Sequence, residues 1–407
     1  VKIVYIYTAL LTRGGVDRVL TVKANYLAER LGHEVWVVTD SQCGRPLVFP
    51  LSPLVHHVDL DTDFDEQYHH GILRRYMIYR RLMRQYRSRL ETLLQQVRPD
   101  IVCTTLGREM DFITDLHDGS FKVGESHIAK AFCRNLHLMD ARGFPYNIVA
   151  RLWRHRLERS VARLDRLVVL TQRDAASWAP VCQATVIPNP ITIEHGHGDS
   201  PRSHADPPLP HSAYKGVGTA SGGKVISVGR LSEQKAHDRL LRAWAKVVSR
   251  HADWQLEIWG EGVEQASLQR LIDTLGLGQS CRLMGITSDI AGVLTSADIY
   301  AMSSRFEGLP LVLIEAMSLG LPPVAMDCPT GPREIITDGR NGLLVGDGDE
   351  DALSSAICRL IENPDLRHRL ASQAKTDTMS RFGLDATMQR WEELFTGLVC
   401  ARQKDSQ

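Results

Sequence analysis

DIYAMSSRFEGLPLVLIEAMSLGLPPVAM, residues 298–326, carries the reading of this chain. The run 298–303 is short and apolar, 310–319 has helical character, and 322–326 is apolar again. Strand, helix and strand in that order make a βαβ unit, and hence a parallel sheet. Pro310 fits the first helical turn, where a missing N–H costs nothing. The unpaired N–H groups of that turn face whatever lies above the helix and suit a phosphate or a sugar hydroxyl. Glu307 stands in the loop before the helix, and Glu315 one and a half turns inside it. Two carboxylates so spaced can address two parts of one extended ligand.

The same alternation extends both ways. Upstream run KVISVG (224–229), helix 238–250, WQLEIWG (254–260), helix 264–275, CRLMG (281–285) and helix 288–295; downstream run GLLV (342–345) and a helix over 350–361. An earlier set has KIVYIY (2–7), a helix through Val19, Val22, Tyr26 and Leu27, EVWVVT (34–39), IVCTT (101–105), a helix over 148–163 and LVVLT (167–171). Pro188-Asn189-Pro190 breaks the two sets, and 194–223 is rich in Gly, Pro, Ser and His with little periodicity, which reads as loop. The expected organisation is an α/β chain of two Rossmann-like domains whose parallel sheets face a central cleft. The first spans 1–190, followed by a linker over 191–223 and a second domain over 224–380. A final helix, 381–400, is expected to cross back onto the first domain.

Composition bounds the class. A chain of 407 residues exceeds one ordinary core. Its 43% hydrophobic and 24% charged content is that of a globular protein, and its formal net charge of zero indicates no acidic partner. No stretch of about 18 apolar residues offers a membrane span. The start VKIVYIYTAL lacks a basic leader and cleavage site, so the cytoplasm is the expected compartment. The eight cysteines are dispersed without a CxxC, which argues against a zinc site or a disulfide framework. The histidines at 56–57, 69–70, 195, 197 and 204 lack framing by cysteine or carboxylate and read as exposed loop residues. Asp61-Thr62-Asp63 spells DxD but sits outside the donor domain. No GxGxxG follows a strand, which sets a dehydrogenase aside.

Helix 72–97 places Ile72, Tyr76, Tyr79, Met83, Tyr86, Leu90, Leu93 and Val97 on one stripe, with the tyrosines read as core-facing. Arg74, Arg80, Arg81, Arg84, Arg87 and Arg89 take much of the rest, and no carboxylate occurs between 71 and 90. Such a face is either solvated or suited to anionic lipid headgroups and the phosphates of a lipid-linked acceptor. Peripheral association with the inner face of the cytoplasmic membrane is the expectation drawn from it.

The spacing Glu307–x7–Glu315 resembles the signature of retaining GT-B glycosyltransferases, and the whole chain resembles their large family four, which includes bacterial enzymes of lipopolysaccharide, capsule and glycolipid assembly. Ordered matches carry the resemblance: Gly14-Gly15-Val16-Asp17-Arg18-Val19, Ile187-Pro188-Asn189-Pro190, Val228-Gly229-Arg230-Leu231 with Glu233-Gln234-Lys235, Ile258-Trp259-Gly260-Glu261-Gly262, and Gly331-Pro332-Arg333-Glu334-Ile335-Ile336 with Asn341-Gly342. The resemblance implies that Arg230 and Lys235 hold the donor diphosphate, Glu315 the ribose, and Glu307 the donor sugar. It implies that Gly308, Leu309 and Pro310 line the sugar and phosphate site, with Gly260 and Gly285 also on the nucleotide. Gly14 and Gly15 would approach phosphate or acceptor, and His127 would contact the sugar near the reacting carbon. The chain departs from the family at Ala236, where glycine is usual, and at Asp17, where glutamate is common.

The implied reaction moves a hexose or N-acetylhexosamine, with retention, from a UDP-linked donor to a hydroxyl of a growing cell-surface glycan or lipid-linked saccharide. The implied route is front-face substitution, with no metal and no cofactor beyond the donor substrate, and no nucleic acid as partner. Two other readings stay open on the residues alone: a nucleotide-sugar epimerase of the same fold, and a non-catalytic nucleotide-sugar-binding protein.

Overall fold

The computed structural model describes residues 1–193 and 222–405, so residues 194–221 of the expected linker, with the histidines at 195, 197 and 204, lie outside the described residues. The chain divides into two compact units, one comprising Val1–Pro190 and the chain from Arg381 on, the other Ile191–Ser380.

The first unit runs β1 (Lys2–Tyr7), α1 (Gly15–Glu29), β2 (Glu34–Thr39), β3 (Val55–Asp59), α2 (Ile72–Val97), β4 (Ile101–Thr104), β5 (Phe121–Ser126), α3 (Leu136–Asp140), α4 (Tyr146–Val161), β6 (Arg166–Val169), α5 (Gln172–Trp178) and β7 (Ala184–Val186). Its sheet has the order β3-β2-β1-β4-β5-β6-β7, with every pair parallel. Alternate residues of each strand enter different cores. Val4, Ile6, Val38, Val102 and Val169 meet α2 and α4 on one face. Ile3, Tyr5, Val35, Val37 and Val123 meet α1 on the other. A sheet covered on both sides needs apolar residues at both alternations, which is why these strands read as continuous hydrophobic runs.

The second unit runs β8 (Lys224–Val228), α6 (His237–Val248), β9 (Gln255–Trp259), α7 (Gln265–Thr274), β10 (Cys281–Gly285), α8 (Ile290–Thr295), β11 (Ile299–Met302), α9 (Leu311–Ser318), β12 (Pro323–Asp327), α10 (Pro332–Ile335), β13 (Leu343–Gly346), α11 (Glu350–Glu362) and α12 (Pro364–Phe382). Its strand order is β10-β9-β8-β11-β12-β13. In both units the first strand lies between the second and the fourth, so the chain winds in opposite senses on its two sides. Ligands of such sheets bind at this switch point, beyond the carboxyl ends of the strands.

Three readings from the sequence are corrected. His56 and His57 lie on the edge strand β3, not in a loop. His56 stacks on Trp36 with ring centroids 4.4 Å apart, and His57 is half-buried against the Thr39 hydroxyl. A short edge strand with two central histidines carries little apolar signal. On α2 the buried stripe is Ile78, Leu82, Tyr86, Leu90, Leu94 and Val97, whereas Tyr76 is exposed. The helical period is right, but the first turns overhang the core. Pro310 falls one residue before α9, at its cap.

The last helix, α13 (Leu384–Asp405), supplies Met388, Trp391, Phe395 and Leu398 to the core shared with β1, β2 and α1. Phe395→Ala is therefore expected to destabilise the first unit by about 3–5 kcal/mol, the cost of emptying a buried aromatic site. Denaturant unfolding checks it, and a loss under about 1 kcal/mol would mean that the helix merely rests on the surface.

Candidate functional site

At the switch point of the second unit, the loop leaving β8 (229–236) lies beside the loop leaving β11 (303–310), because β8 and β11 are paired. Polar contacts lock them together. Arg305 N–H donates to the Gln234 carbonyl at 2.8 Å, and Gln234 Nε2 donates to the Phe306 carbonyl at 3.1 Å. The Arg305 guanidinium reaches the Glu233 carbonyl and Asp238, while the Ser303 hydroxyl donates to the Ala236 carbonyl. Between the loops, Lys235 Nζ lies 2.7 Å from Glu307 Oε1. The Ser304 hydroxyl donates to that same oxygen at 2.6 Å, and the Thr330 hydroxyl donates to the Glu307 backbone carbonyl. Glu307 is 5% exposed, so the lysine supplies the countercharge that a buried carboxylate requires. Arg230 is exposed on the same loop.

Two glycines here have steric reasons. Gly260 has φ +140°, and a Cβ on it would stand 2.0 Å from the Gly229 carbonyl. Its N–H donates to the Gly285 carbonyl at 2.7 Å, pairing the ends of β9 and β10. Gly331 has φ +96°, and a Cβ there would meet Pro310 Cδ at 2.6 Å. A side chain at either point would push apart the loops bearing Arg230, Glu307 and Pro310.

Glu315, fully buried on α9, accepts the Thr192 hydroxyl at 2.8 Å. Tyr300 on β11 is buried. Burial pushes its phenol up, and the charges of both Glu307 and Glu315 push it further. The structure brings Lys235 against Glu307, with Gly308, Leu309 and Pro310 on the backbone that leads from Glu307 to the helix bearing Glu315.

His237 opens α6 beside Lys235 and is buried. Its imidazole is pushed down to about 4 by burial and then by the Lys235 charge, with Asp238 opposing. The residue before it, Ala236, has φ 50° and ψ 43°, a left-handed conformation. This is the position where the resembled family has glycine, and the backbone geometry supplies the reason: without a Cβ the left-handed region carries no steric cost.

Gly14, Gly15 and His127 lie in the first unit. Gly14 caps α1 with extended backbone. Asp17 ties the preceding loop to the helix, accepting from the Tyr7 hydroxyl at 2.7 Å and the Thr12 N–H at 2.8 Å. His127 follows β5, and its Nε2 lies 3.3 Å from Glu125 Oε2. The same oxygen takes Lys23 Nζ at 2.7 Å. Of the Asp61-Thr62-Asp63 run, Asp63 accepts the Asp65 N–H, while Asp61 lies beside Cys43 and Asp59. Asp59 is already occupied by Thr39 and by the N–H groups of Gln42 and Cys43.

The sequence reading overlooked Thr192, Ser304, Thr330 and Lys23. Only Lys23 left a readable signal, since it shares a helical face with the apolar Val19, Leu20, Ala24 and Leu27.

Residues 220–377 match the family model described as glycosyl transferases group 1. The chain is 34% identical over 241 residues to an exopolysaccharide phosphotransferase of Streptomyces coelicolor, a match covering 59% of this chain and 24% of that one. It is 36% identical over 171 residues to the amylovoran biosynthesis glycosyltransferase AmsD of Erwinia amylovora, covering 42% and 47%. The chain thus spans less than half the length of either relative. The crystal structure of a point mutant of S. aureus TarM, in complex with fondaparinux, alpha-GlcNAc-glycerol and UDP, superposes with a TM-score of 0.75 at 14% identity over 97% of this chain and 99% of that one. The fold is GT-B.

Two outcomes follow from this geometry. Ala236→Gly is expected to stabilise the second unit by about 1 kcal/mol by relieving the left-handed alanine, measured as a raised denaturation midpoint. Unfolded His237 takes a proton near its ordinary value of 6.5, whereas the folded one does so only at about 4. Its contribution is therefore present above pH 6.5 and falls by up to about 3 kcal/mol as pH drops toward 4. Melts at about pH 7.5 and about pH 5, on either side of the unfolded value, should show a smaller pH-dependent loss for His237→Gln than for the parent; equal losses would contradict this.

Proposed function

Since residues 220–377 belong to the glycosyl transferases group 1 family, we propose that this chain is a retaining glycosyltransferase. In this reading it moves a hexose or N-acetylhexosamine from a UDP-linked donor to a hydroxyl of a cell-surface glycan or lipid-linked saccharide. The observation that carries the reading is Glu307, held between Lys235 and Ser304 at the switch point, with Glu315 buried on the helix that the same loop enters. Both side-chain hydrogen bonds to Glu307 fall on Oε1, which leaves Oε2 to accept sugar hydroxyls. Lys235 and Arg230 neutralise the diphosphate as the glycosidic bond breaks, the role in which preorganised charge lowers a barrier most. Glu315 accepts the ribose hydroxyls. In front-face substitution the bond from the anomeric carbon to the diphosphate oxygen breaks while the acceptor oxygen bonds on the same face. The proton of the acceptor hydroxyl passes to that leaving oxygen. The lysine, the arginine and the first-turn N–H groups of α9 supply positive potential without a metal. The choice of UDP is supported by the UDP in the TarM complex.

An anionic lipid surface is part of the same proposal, and a second face supports it beside the arginine-rich α2, whose Arg74, Arg80, Arg84 and Arg87 are exposed. Arg81 on α2 pairs with Glu66, and Arg89 donates to the Leu60 and Asp61 carbonyls. On α4 the buried residues are Ala150, Leu157 and Val161, so Ile148, Leu152 and Arg159 point the other way. Phe144 is 81% exposed and Leu152 64%, with Ile148 and Trp153 also open. Arg142, Arg151 and Arg159 flank them, while Asp140 and Glu158 are paired to Arg154 and Lys130. Apolar anchors ringed by arginine fit an interfacial helix. Among the described residues no helix is long and apolar enough to cross a membrane.

Glu307→Ala or Lys235→Ala is expected to lower turnover at least about a hundredfold in a fold that stays intact. Nucleotide release from a panel of UDP-, GDP- and ADP-sugars measures it, and near-normal transfer by either variant would remove the assignment. Ile148→Glu with Leu152→Glu should abolish co-sedimentation with phosphatidylglycerol vesicles. Undiminished sedimentation would move the contact elsewhere, and a dimer of the parent that the variant loses would make this face a protein interface.

A further inference from the structure

The core of the first unit holds an ion pair that the proposed chemistry does not use. Lys23 and Glu125 have side chains 2% and 3% exposed and meet at 2.7 Å. Lys23 sits on the apolar face of α1 among Leu20, Ala24 and Leu27. Its ammonium lies 3.5 Å from the ring centroid of Trp391 on α13 and 5.3 Å from that of Tyr5 on β1. Desolvation makes such a pair a poor source of stability, and apolar residues of the same size commonly serve the fold as well or better. A buried pair in this position calls for a different account.

That account lies one residue past β5. Glu125 Oε2 is shared between Lys23 and His127 Nε2, the latter at 3.3 Å. Burial alone would raise the Glu125 carboxyl, but the Lys23 ammonium and His127 overcome it and bring it down to about 2. Glu125 is thus a fixed anion aimed at one edge of the imidazole. Neither ring nitrogen has a formed hydrogen bond among the described residues, but Nε2 has the Glu125 carboxylate 3.3 Å away, whereas Nδ1 is buried with no ion-pair or hydrogen-bond partner among them. A carboxylate at Nε2 selects the tautomer with its proton there and leaves Nδ1 as an acceptor. A buried orphan acceptor is a place for a ligand donor, and a hydroxyl fits it.

We propose that Lys23 and Glu125 are positioning residues for His127: the pair fixes the imidazole so that Nδ1 is presented to a hydroxyl of the sugar substrate, with Trp391 of the last helix packed over the lysine. This rests on the glycosyltransferase reading given above. Lys23 neutralises Glu125 and anchors it from α1, Glu125 orients the ring, and His127 alone of the three touches substrate. The C-terminal helix becomes the outer wall of this support, since the indole of Trp391 closes the lysine off from solvent.

The test replaces the pair by apolar residues of similar size, Lys23→Met with Glu125→Leu. A merely structural pair predicts unchanged melting and unchanged transfer. Positioning predicts an unchanged or raised Tm, unchanged UDP affinity, and a kcat lower by about a hundredfold, the usual effect of misplacing a reacting group. His127→Ala should cost a similar factor, and adding it to the double variant should cost nothing further, because residues acting through one group are not additive. Wild-type transfer by the double variant, or full additivity with His127→Ala, overturns the proposal. A second measurement does not need activity: the His127 Nε2–H resonance should be visible by nitrogen-edited NMR in the parent and broadened by solvent exchange in the double variant. If the parent transfers no sugar yet shows this loss, the glycosyltransferase reading falls and the positioning role stands. If the resonance survives in the double variant, the positioning role falls.

Discussion

A lysine ammonium 2.7 Å from a carboxylate with almost no solvent access holds together the two loops on which the second unit builds its site. Lys235 and Glu307 are far apart in the chain and become neighbours because β8 and β11 pair in the sheet. Each residue suits the other: a carboxylate in so buried a place calls for a countercharge, and the lysine is held at one point instead of sweeping through solvent. The surrounding bonds from Ser304, Gln234, Arg305 and Thr330 turn that pairing into a rigid clamp. The strained alanine at 236 and the closely packed glycines at 260 and 331 are consequences of bringing these loops so near one another.

The first unit uses the same device with a different outcome. Glu125 near the end of β5 also meets a lysine, but there both partners are sealed from water and the lysine is covered by an indole. In the second unit Lys235 remains 24% exposed, so a diphosphate can compete for it. An open ion pair can exchange partners, whereas a closed one can only orient what lies next to it. This difference in exposure distinguishes the ligand-binding role proposed for Lys235 from the supporting role proposed for Lys23.

Much of the fold was legible because doubly covered parallel sheets write themselves into sequence as short, wholly apolar runs. KIVYIY, EVWVVT, KVISV and IYAM carry that mark, and the helices between them carry the 3.6-residue period. β3 did not show, since His56 and His57 occupy an edge position where only part of each face is buried. The overhanging first turns of α2 were misread because periodicity tells which residues share a side, not where the core beneath them stops. The candidate site was legible where chemistry and backbone coincide, at Glu307, Pro310, Glu315 and Lys235. Ser304, Thr330 and Thr192 were not, because a hydroxyl that donates to a carboxylate or a carbonyl looks in sequence like any other surface serine or threonine.

Local pattern by itself determined most of the strands and helices, the α/β class, the break between the two sets of elements and the pair of acidic residues flanking a helix start, since each depends on spacing along one segment. Only the tertiary structure decided which charges meet. It joined Lys235 to Glu307, set Lys23 against Glu125 and Trp391, gave Ala236 its left-handed backbone, and turned the exposed apolar residues of α4 outward. Electrostatic partnership is a matter of distance and burial between segments far apart in the chain, and no property of either segment alone contains it.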